Sequence, residues 1–557
     1  MKNKKYMALI LAVSVPLSLC SCSLNNFGYD SSDSGSSTEE KTKDIPESDK
    51  DESENKSEKE SDNKTENKNS SADMDDVNER LEQLLDNIKI KDNKNAVQED
   101  IDWLMENINL AADRSALCSI DYYTDWNNED LENEYDRASE MLYVMSNAMG
   151  YVFSKGAVSE EYSELFENLV DDNAVEYYTQ KGINLDRVEG YAKVDYNVSD
   201  SELDDYFDIA YSSELDDDEK NLKAAEVYLE ILTNYDSETF YDSYNRDYEP
   251  ELILELSEAV RKNLIPVSNN LITQFSRNSY SADIFDSPEL PDDLFGTVRE
   301  YAEFLSPEIK KSAERINDEK LYVIASGDNC YTGSFTIDMP SENSAMIYIY
   351  SDGSYYDFTT AVHEFGHFHS SFSDDINAYL CVPNIDLAEI QSQGMELLFM
   401  QFYDAIYGRQ ADAMKLLRLS DITDAAITGF LVGAFEYSAL LQADKLTPED
   451  VLELYSDTLG DYAENYPFYY MSHIFESPGY YISYGVSALA SLDMLDECMD
   501  NPEAAVKQYE KISAVPINSK ESRFRSVLKE CGFSDVLTEK YIEQTAENLQ
   551  KFADSMR

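Results

Sequence analysis

From Asp73 onward, apolar residues recur at the three- and four-residue spacing of amphipathic helices. The first such stripe consists of Val77, Leu81, Leu84, Leu85 and Ile88. Similar patterns, separated by loops rich in Asp and Asn, cover residues 99–113, 129–153, 158–180, 218–235 and 248–275. No fixed period repeats, which argues against a solenoid. This part of the chain is therefore predicted to be helical.

The pattern changes after Lys320, where short runs rich in β-branched and aromatic residues are bounded by Gly, Asn, Asp, Ser and Pro. These runs predict the strands of a small sheet, at Leu321–Ala325, Gly333–Ile337 and Ala345–Tyr350. A turn at residues 351–354 precedes a helix that begins near Asp357, and residues from about 386 to 550 are helical again. The predicted class is mainly α, with one small sheet beside that helix.

The amino terminus has the pattern of an export signal. Lysines precede an apolar run over residues 6–19, which is too short for a comfortable membrane span. The run ends in Leu19-Cys20-Ser21-Cys22, which resembles a bacterial lipobox, and Cys22 after the small Ser21 fits better than Cys20. Residues 1–22 are thus predicted to be a lipoprotein signal peptide, with Cys22 lipidated and the protein anchored to the outer face of the bacterial cytoplasmic membrane. An ordinary secretory signal with two incidental cysteines is the alternative.

Residues 23–72 consist mostly of Ser, Asp, Glu, Lys and Asn and are predicted to form a disordered acidic linker. The chain beyond them is long enough to bury a large core. Pro288 and Pro291 mark its most plausible interruption. We therefore predict an N-terminal helical region over 73–295 and a region over 296–557 that carries the chemistry described below.

The formal net charge is −68. Residues 1–22 contain three lysines and residues 23–72 contain seven lysines against fourteen acidic residues, so nearly all of this charge belongs to residues 73–557. Such a charge argues against nucleic acid or an anionic membrane surface as a partner and favours cationic substrates.

The cysteines beyond Cys22 give no sign of a thiolate metal site, because none of them forms a closely spaced pair. They are Cys118, Cys330, Cys381, Cys498 and Cys531. An odd number permits at most two disulfides among them.

Three of the four histidines lie in His363-Glu364-Phe365-Gly366-His367-Phe368-His369. Residues four apart share a helix face, so His363 and His367 can bind one metal ion. Zinc lowers the pKa of bound water to about 7, and Glu364 can accept the proton as that water attacks a carbonyl. The motif therefore predicts a hydrolase with one zinc per chain.

A catalytic zinc needs a third protein ligand, and His473 lies too far along the chain for a three-histidine motif. Glu389 and Glu396 are the main candidates because they share a helix face; one can bind metal while the other orients a ligand histidine. Less suitable carboxylates, which look like loop or helix-start residues, are Asp374, Asp375 and Asp386.

The stretch from Glu389 to Glu396, Glu-Ile-Gln-Ser-Gln-Gly-Met-Glu, resembles the Glu-x-x-Ser-Gln-x-x-Glu helix of thimet oligopeptidase and its relatives. Its position after His367 is also close to the spacing in that family. The resemblance implies that Glu389 is the zinc ligand and that Glu396 orients a histidine. In the family a further histidine commonly follows the second ligand by three residues. His369 follows by two, so it is expected behind the ligands or at the surface.

The stretch His473-Ile-Phe-Glu-Ser-Pro-Gly-Tyr480-Tyr481-Ile-Ser-Tyr484 resembles the tyrosine-rich segment of oligoendopeptidase F and thimet oligopeptidase. The resemblance implies that His473, Tyr481 and Tyr484 hydrogen-bond the substrate and the oxyanion, with Tyr480 a substitute for Tyr481. Donors aimed at developing negative charge supply much of the rate of an amide hydrolase.

The resemblance covers residues of about 325–495 and implies a zincin-like, mostly helical ellipsoid with a deep substrate channel. It also implies a metalloendopeptidase of the gluzincin type that cleaves short peptides. One alternative is a peptide-binding or adhesive surface lipoprotein that has lost turnover, although the intact Glu364 argues against it. Another is a different gluzincin such as an aminopeptidase, for which the usual Gly-x-Met-x-Asn-type segment is missing.

Overall fold

The computed structural model describes residues 94–154, 200–235, 240, 244, 246–282, 284, 288, 290–327, 329–373, 384–517 and 522–556. Several predictions lie outside these residues: the signal peptide with Cys22, the linker over 23–72, and the helical patterns at 77–88 and 158–180. Asp374, Asp375 and Cys381 lie outside them as well.

Helices dominate the first part of the described chain, as predicted. They are α1 (Lys94–Thr124), α2 (Glu129–Ser154), α3 (Asp200–Ala210), α4 (Asp217–Leu232), α5 (Pro250–Ala282), α6 (Leu294–Ala302) and α7 (Pro307–Glu319). Local sequence sets several of their starts. Asp216 and Glu219 form a capping box at α4, and Ser306 caps α7 directly before Pro307. Helix α1 is longer than predicted, and α3, α6 and α7 lie outside the predicted helical ranges.

A three-stranded sheet follows, close to the predicted positions. Strands β1 (Tyr322–Ala325), β2 (Phe335–Met339) and β3 (Ser344–Tyr350) lie in the order β1-β3-β2. β1 is parallel to β3, and β2 is antiparallel to it with Thr336 opposite Ile347.

Side chains alternate between the two faces of this sheet. Tyr348, Phe335 and Ile337 belong to a small core with residues of α1, whereas Ile347 and Ile349 join the main core on the other face. The main core contains helix α8 (Asp357–Ser370), which packs against β2 and β3. Asp357, in the first turn of α8, accepts hydrogen bonds from Ser351 and Gly353, and these bonds fix the predicted turn before the helix.

The rest of the described chain is helical, as predicted. The helices are α9 (Ile385–Phe399), α10 (Tyr403–Ile406), α11 (Ala411–Leu440), α12 (Pro448–Leu459), α13 (Tyr462–Asn465), α14 (His473–Glu476), α15 (Ile482–Asp500), α16 (Pro502–Ser513), α17 (Phe524–Cys531) and α18 (Glu539–Ser555). Short 3-10 turns lie at Pro340–Glu342, Ser371–Ser373, Met400–Phe402, Gly408–Gln410 and Phe468–Tyr470.

Long helices surround the α8–α9 pair. Helix α11 packs against α5 and α15, α15 packs against α9, and α5 packs against α18. The predicted class, mainly α with one small sheet, is therefore confirmed. Within the described ranges no helix is long and apolar enough to cross a membrane. The four cysteines in those ranges, Cys118, Cys330, Cys498 and Cys531, are free thiols.

Candidate metal centre

The His-Glu-x-x-His motif of helix α8 lies inside the protein, because every residue of this helix except His369 is buried. Gly366 lies where α8 and α9 come closest. A Cβ atom at Gly366 would lie 2.7 Å from both the carbonyl oxygen of Gln391 and the Cα of Ser392. The glycine therefore lets the two helices that carry the candidate ligands approach each other.

The structure brings together His363, His367 and Glu389. One ligand atom of each lies within 4.8 Å of the other two. The Nε2 atom of His363 is 3.5 Å from Oε2 of Glu389, and the Nε2 atom of His367 is 3.6 Å from Oε1. All three side chains are buried.

This arrangement fits a small cation with tetrahedral coordination. The Nε2 atoms of His363 and His367 are buried, and neither has a hydrogen-bond partner in the described part of the chain. Buried polar atoms are normally satisfied, so two convergent nitrogens without a hydrogen-bond partner fit the coordination of a cation. Ligand atoms at zinc distances of 2.0–2.1 Å are about 3.3 Å apart in a tetrahedron, close to the observed separations.

Glu396 orients His363 from behind. Its Oε1 atom is 2.8 Å from Nδ1 of His363, and its other oxygen accepts a hydrogen bond from Arg418 of α11. Arg418 also reaches Asp421 at 3.1 Å. Burial lowers the pKa of His363, but the hydrogen bond and charge of Glu396, with Glu389 and Glu364, outweigh it and raise the pKa to about 9. With one proton held on Nδ1 by Glu396, the proton that titrates is the one on Nε2, and a bound metal ion would displace it.

Glu364 is held by the sheet. The hydroxyl of Thr336 donates to Oε2 of Glu364 at 2.8 Å and lies 3.0 Å from the backbone oxygen of the same residue. Thr336 stands opposite Ile347 in the register, so it points to the α8 face of the sheet. Burial raises the pKa of Glu364 to about 8, against the opposing effects of His363 and Thr336. A carboxyl group in this setting suits proton transfer near neutral pH.

His473 and three tyrosines form an aromatic cluster. Tyr480 stacks on the His473 ring with centroids 5.1 Å apart, and the Tyr484 hydroxyl is 3.4 Å from Nε2 of His473. The Tyr481 hydroxyl lies 3.8 Å from the sulfur of Met471. Burial lowers the pKa of His473 to about 4, so the imidazole is neutral at physiological pH. The Tyr484 hydroxyl thus lies beside the neutral His473 ring.

A buried ion pair fastens this cluster to the ligand helix. Arg246 binds Asp386, in the first turn of α9, and both side chains are 0% exposed. Ser483 donates to Asp386 at 2.6 Å, and Arg246 also donates to the backbone oxygen of Gly479 at 2.8 Å. The segment that carries Tyr480 and Tyr484 is therefore tied to the helix turn that precedes Glu389.

Two other sequence candidates, Asp386 and His369, bind partners of their own rather than the ligand cluster. Asp386 is bound to Arg246, Ser483 and the Tyr248 hydroxyl. His369, near the end of α8, is partly buried, and its Nδ1 lies 2.9 Å from the hydroxyl of Ser312 in α7. Burial lowers the pKa of His369 to about 4.

Sequence reasoning missed three supporting residues: Thr336, Arg418 and Arg246. Two of them carried a usable signal. Thr336 interrupts the apolar positions Phe335 and Ile337 of its strand, and Arg418 stands among the leucines of α11. A polar or charged residue within such an apolar run indicates a buried partner.

Comparison with solved structures places the fold. A structure of PZ peptidase A with an inhibitor matches with a TM-score of 0.62 at 15% identity, covering 87% of this chain and 98% of that one. A protein from Bacillus anthracis assigned as oligoendopeptidase F gives a TM-score of 0.62 at 15% identity, with coverages of 87% and 96%. Metallocarboxypeptidase 1 of Trypanosoma cruzi gives a TM-score of 0.51 at 10% identity, with coverages of 81% and 99%.

No protein-family model and no curated protein sequence matches this chain. The fold and the buried two-histidine, one-glutamate cluster define the class: a helical peptidase fold built around a His-Glu-x-x-His helix. Within that class, the chain has the fold of oligoendopeptidase F and related peptidases, as its sequence predicts.

Proposed function

We propose that this protein is a zinc-dependent endopeptidase that hydrolyses short oligopeptides outside the cytoplasm. The observation that carries the proposal is the buried convergence of His363, His367 and Glu389 beside Glu364. Three protein ligands and an adjacent carboxylate are what a catalytic zinc site requires, whereas a structural site has four protein ligands. The solved structures with this fold are peptidases, which supports the reaction class.

Each residue has a distinct part in the reaction. His363, His367 and Glu389 would hold the zinc, which when bound activates water and polarises the scissile carbonyl. Glu364 accepts the proton of the attacking water and delivers it to the leaving amine, and Thr336 keeps its carboxylate in place. Glu396 and Arg418 fix the orientation of His363.

The oxyanion needs hydrogen-bond donors as it forms. We assign this role to Tyr484 and His473, because the Tyr484 hydroxyl lies 3.4 Å from Nε2 of His473. Tyr481 is a further candidate. Separate Phe substitutions at Tyr480, Tyr481 and Tyr484 test the assignment. The variant that lacks the tyrosine contacting the oxyanion should lose most of its kcat. The other two variants should change in stability more than in kcat.

The place of action is proposed from the amino-terminal sequence, with lipidated Cys22 as the anchor. In a bacterial host, the protein and its Cys20→Ser variant should fractionate with membranes, whereas a Cys22→Ser variant should not. Equal membrane association of all three proteins would refute the lipid anchor.

The proposed activity can be tested directly. The purified protein and its Glu364→Gln variant would be assayed for zinc content and for cleavage of a mixed library of short peptides, read by mass spectrometry. Glu503→Gln, an exposed position on α16, makes the same chemical change away from the site. One zinc in every protein, with internal cleavage by the parent and by Glu503→Gln only, is the expected result.

The other outcomes separate the alternatives. One zinc in every protein without cleavage by any would favour a peptide-capture or adhesive protein that retains the metal site. Removal of single amino-terminal residues would indicate an aminopeptidase. Absence of stoichiometric zinc would refute the proposed metal centre.

A further inference from the structure

A tight turn lies between the two segments that carry His473 and Tyr484. The N–H of Tyr480 donates to the backbone oxygen of Ser477 at 2.9 Å, and Gly479 between them has a φ of 84°. Proline at the second position and a positive-φ glycine at the third are typical of a type II turn, which fits Ser477-Pro-Gly-Tyr480. Because the turn joins both segments, its position governs where the His473 and Tyr484 side chains lie.

Side chains from distant parts of the chain bind the backbone of this turn from two sides. On one side, the hydroxyl of Tyr244 lies 3.0 Å from the backbone oxygen of Ser477 and 2.9 Å from that of Pro478. On the other side, Gly479 donates its N–H to Oε1 of Glu436, in α11, at 2.7 Å. Tyr244 therefore supplies a donor to the turn, and Glu436 supplies an acceptor.

Glu436 belongs to a face of α11 that runs along the tyrosine segment. Gly429, Gly433 and Glu436 are spaced about one helical turn apart and share this face. A Cβ atom at Gly429 would clash with the backbone nitrogen of Gly485, and one at Gly433 would lie 3.0 Å from the Cβ of Ile482. Together with the hydrogen bond of Glu436, these close contacts hold the start of α15 and the turn before it against α11.

A carboxyl group at this contact has a cost that packing alone does not explain. The Glu436 side chain is 0% exposed, and burial raises its pKa to about 8, against the effects of the Gly479 N–H and the charge of Arg246. Its Oε2 atom has no hydrogen-bond partner among the described residues. An apolar side chain would avoid this cost but would leave the N–H of the buried Gly479 without its acceptor. Acceptance of that N–H is therefore the specific contribution of Glu436.

Helix α11 also contacts the metal centre. Near its other end, Arg418 donates to Glu396, whose second oxygen lies 2.8 Å from Nδ1 of His363. The helix is continuous between Arg418 and Glu436. It therefore links a partner of the candidate metal centre to the turn that precedes Tyr484, and a shift of the turn along α11 would move Tyr484 relative to that centre.

We propose that Glu436 is a positioning residue of the candidate active site. By accepting the Gly479 N–H, it holds the turn where His473 and Tyr484 can meet the oxyanion. Tyr244 supports the same turn from the opposite side. This inference rests on the proposed peptidase function and adds a residue that acts through Tyr484 without touching the substrate.

The test compares two substitutions that differ in whether an acceptor remains. Glu436→Gln keeps an oxygen for the Gly479 N–H, whereas Glu436→Met has a similar length and offers only a weakly accepting sulfur. A misplacement of about 1 Å can cost about 100-fold in rate. We therefore expect Glu436→Met to lower kcat by about 10–100-fold with KM within about twofold, and Glu436→Gln to stay within about threefold of the parent.

Thr423→Val is the matched control, because it removes a buried hydroxyl from the same helix that binds the backbone oxygen of Leu419. It should keep the parent kcat. Parent-like kcat in Glu436→Met, or an equal loss in Glu436→Gln or in Thr423→Val, would overturn the inference. Melting temperature and zinc content report whether each variant is folded. If Glu436→Met does not fold, Tyr244→Phe should show the same loss of kcat at unchanged KM, and parent-like turnover by it would overturn the inference.

A double variant tests whether the effect passes through Tyr484. Added to Tyr484→Phe, the change Glu436→Met should lower kcat by much less than it does in the parent, because the hydroxyl that it displaces is already gone. Full multiplication of the two losses would refute a role through Tyr484.

Hydrogen exchange separates this inference from the peptidase proposal. Glu436→Met should speed amide exchange in fragments that contain Gly479 and leave fragments of α8 and α9 unchanged, whereas Glu436→Gln should match the parent. This result would support the hold on the turn even if the parent cleaves no peptide, in which case the peptidase proposal alone fails. Unchanged exchange at Gly479, or faster exchange throughout the chain, would count against Glu436 as a positioning residue.

Discussion

Substitution of Glu396 by Gln is a sharp test of the metal centre, because this carboxylate touches a ligand without being one. Its two oxygens face His363 and Arg418, both of which donate hydrogen bonds to it. Gln has the same shape but only one oxygen and an NH₂ group that donates. No orientation of the amide in Glu396→Gln can therefore satisfy both partners.

Each orientation has a definite consequence. If the amide oxygen faces His363, the NH₂ group meets the buried guanidinium of Arg418, and two donors oppose each other. If the oxygen faces Arg418, the NH₂ group faces Nδ1 of His363, which must then accept. The imidazole would carry its proton on Nε2, the atom that faces Glu389, and could not bind the metal there.

The size of the effect follows from these alternatives. Loss of such an outer partner typically costs 10–100-fold in metal affinity, or about 1.4–2.7 kcal/mol. The buried donor clash adds to this, since an unsatisfied buried group costs about 1–3 kcal/mol. We therefore expect zinc affinity to fall by about 100-fold or more.

The assay is competition for zinc between the protein and a chromophoric chelator at fixed pH. Glu503→Gln is the control for loss of one negative charge. In the double variant Glu396→Gln/Arg418→Met the opposing donor is gone, so part of the affinity should return. Parent-like zinc affinity in Glu396→Gln would refute the reasoning, as would a double variant weaker than the sum of its single changes.

Three further predictions concern the groups around the centre. Thr336→Val should lower kcat about tenfold with zinc content unchanged, because Glu364 loses the donor that holds its carboxylate; unchanged peptide turnover would contradict this. Asp386→Asn should destabilise the fold by about 3–5 kcal/mol in urea unfolding, because it leaves Arg246 buried without its counter-charge; a loss under about 1 kcal/mol would show that the pair is replaceable. Gly366→Ala should cost about 1–3 kcal/mol and reduce zinc occupancy, since its Cβ atom would separate α8 from α9; full occupancy at parent stability would contradict the close approach.

The metal ligands and the main elements could be predicted because their signals are local. His363 and His367 are four residues apart, and Glu389 begins a short segment whose residue types resemble those of a known family. The strands could also be predicted from local sequence, because each is a short run rich in β-branched or aromatic residues. Such patterns reflect helix and strand periodicity and need no knowledge of tertiary packing.

The supporting contacts join distant parts of the chain, and their partners could not be read from sequence. Arg246 and Asp386 are 140 residues apart, and Tyr244 and Ser477, whose contact also holds the tyrosine segment, are 233 apart. Arg418 and Glu396 are only 22 residues apart but lie on different helices. A buried polar side chain reveals that it needs a partner, but the packing of the fold decides which one.

The charges buried at the centre supply an argument for a divalent cation that is independent of the motif. Glu364, Glu389 and Glu396 are 1%, 2% and 1% exposed. Among the described residues, the permanent cation that contacts one of them, Glu396, is Arg418, which is shared with the partly exposed Asp421. An interior does not tolerate unpaired charges, and the raised pKa values of Glu364 and His363, about 8 and about 9, show that these two groups hold protons that offset the excess near neutral pH. A dication held by His363, His367 and Glu389 would displace the proton from Nε2 of His363 and favour ionised Glu364. Helices α8 and α9 therefore place buried carboxylates where a metal ion can neutralise them.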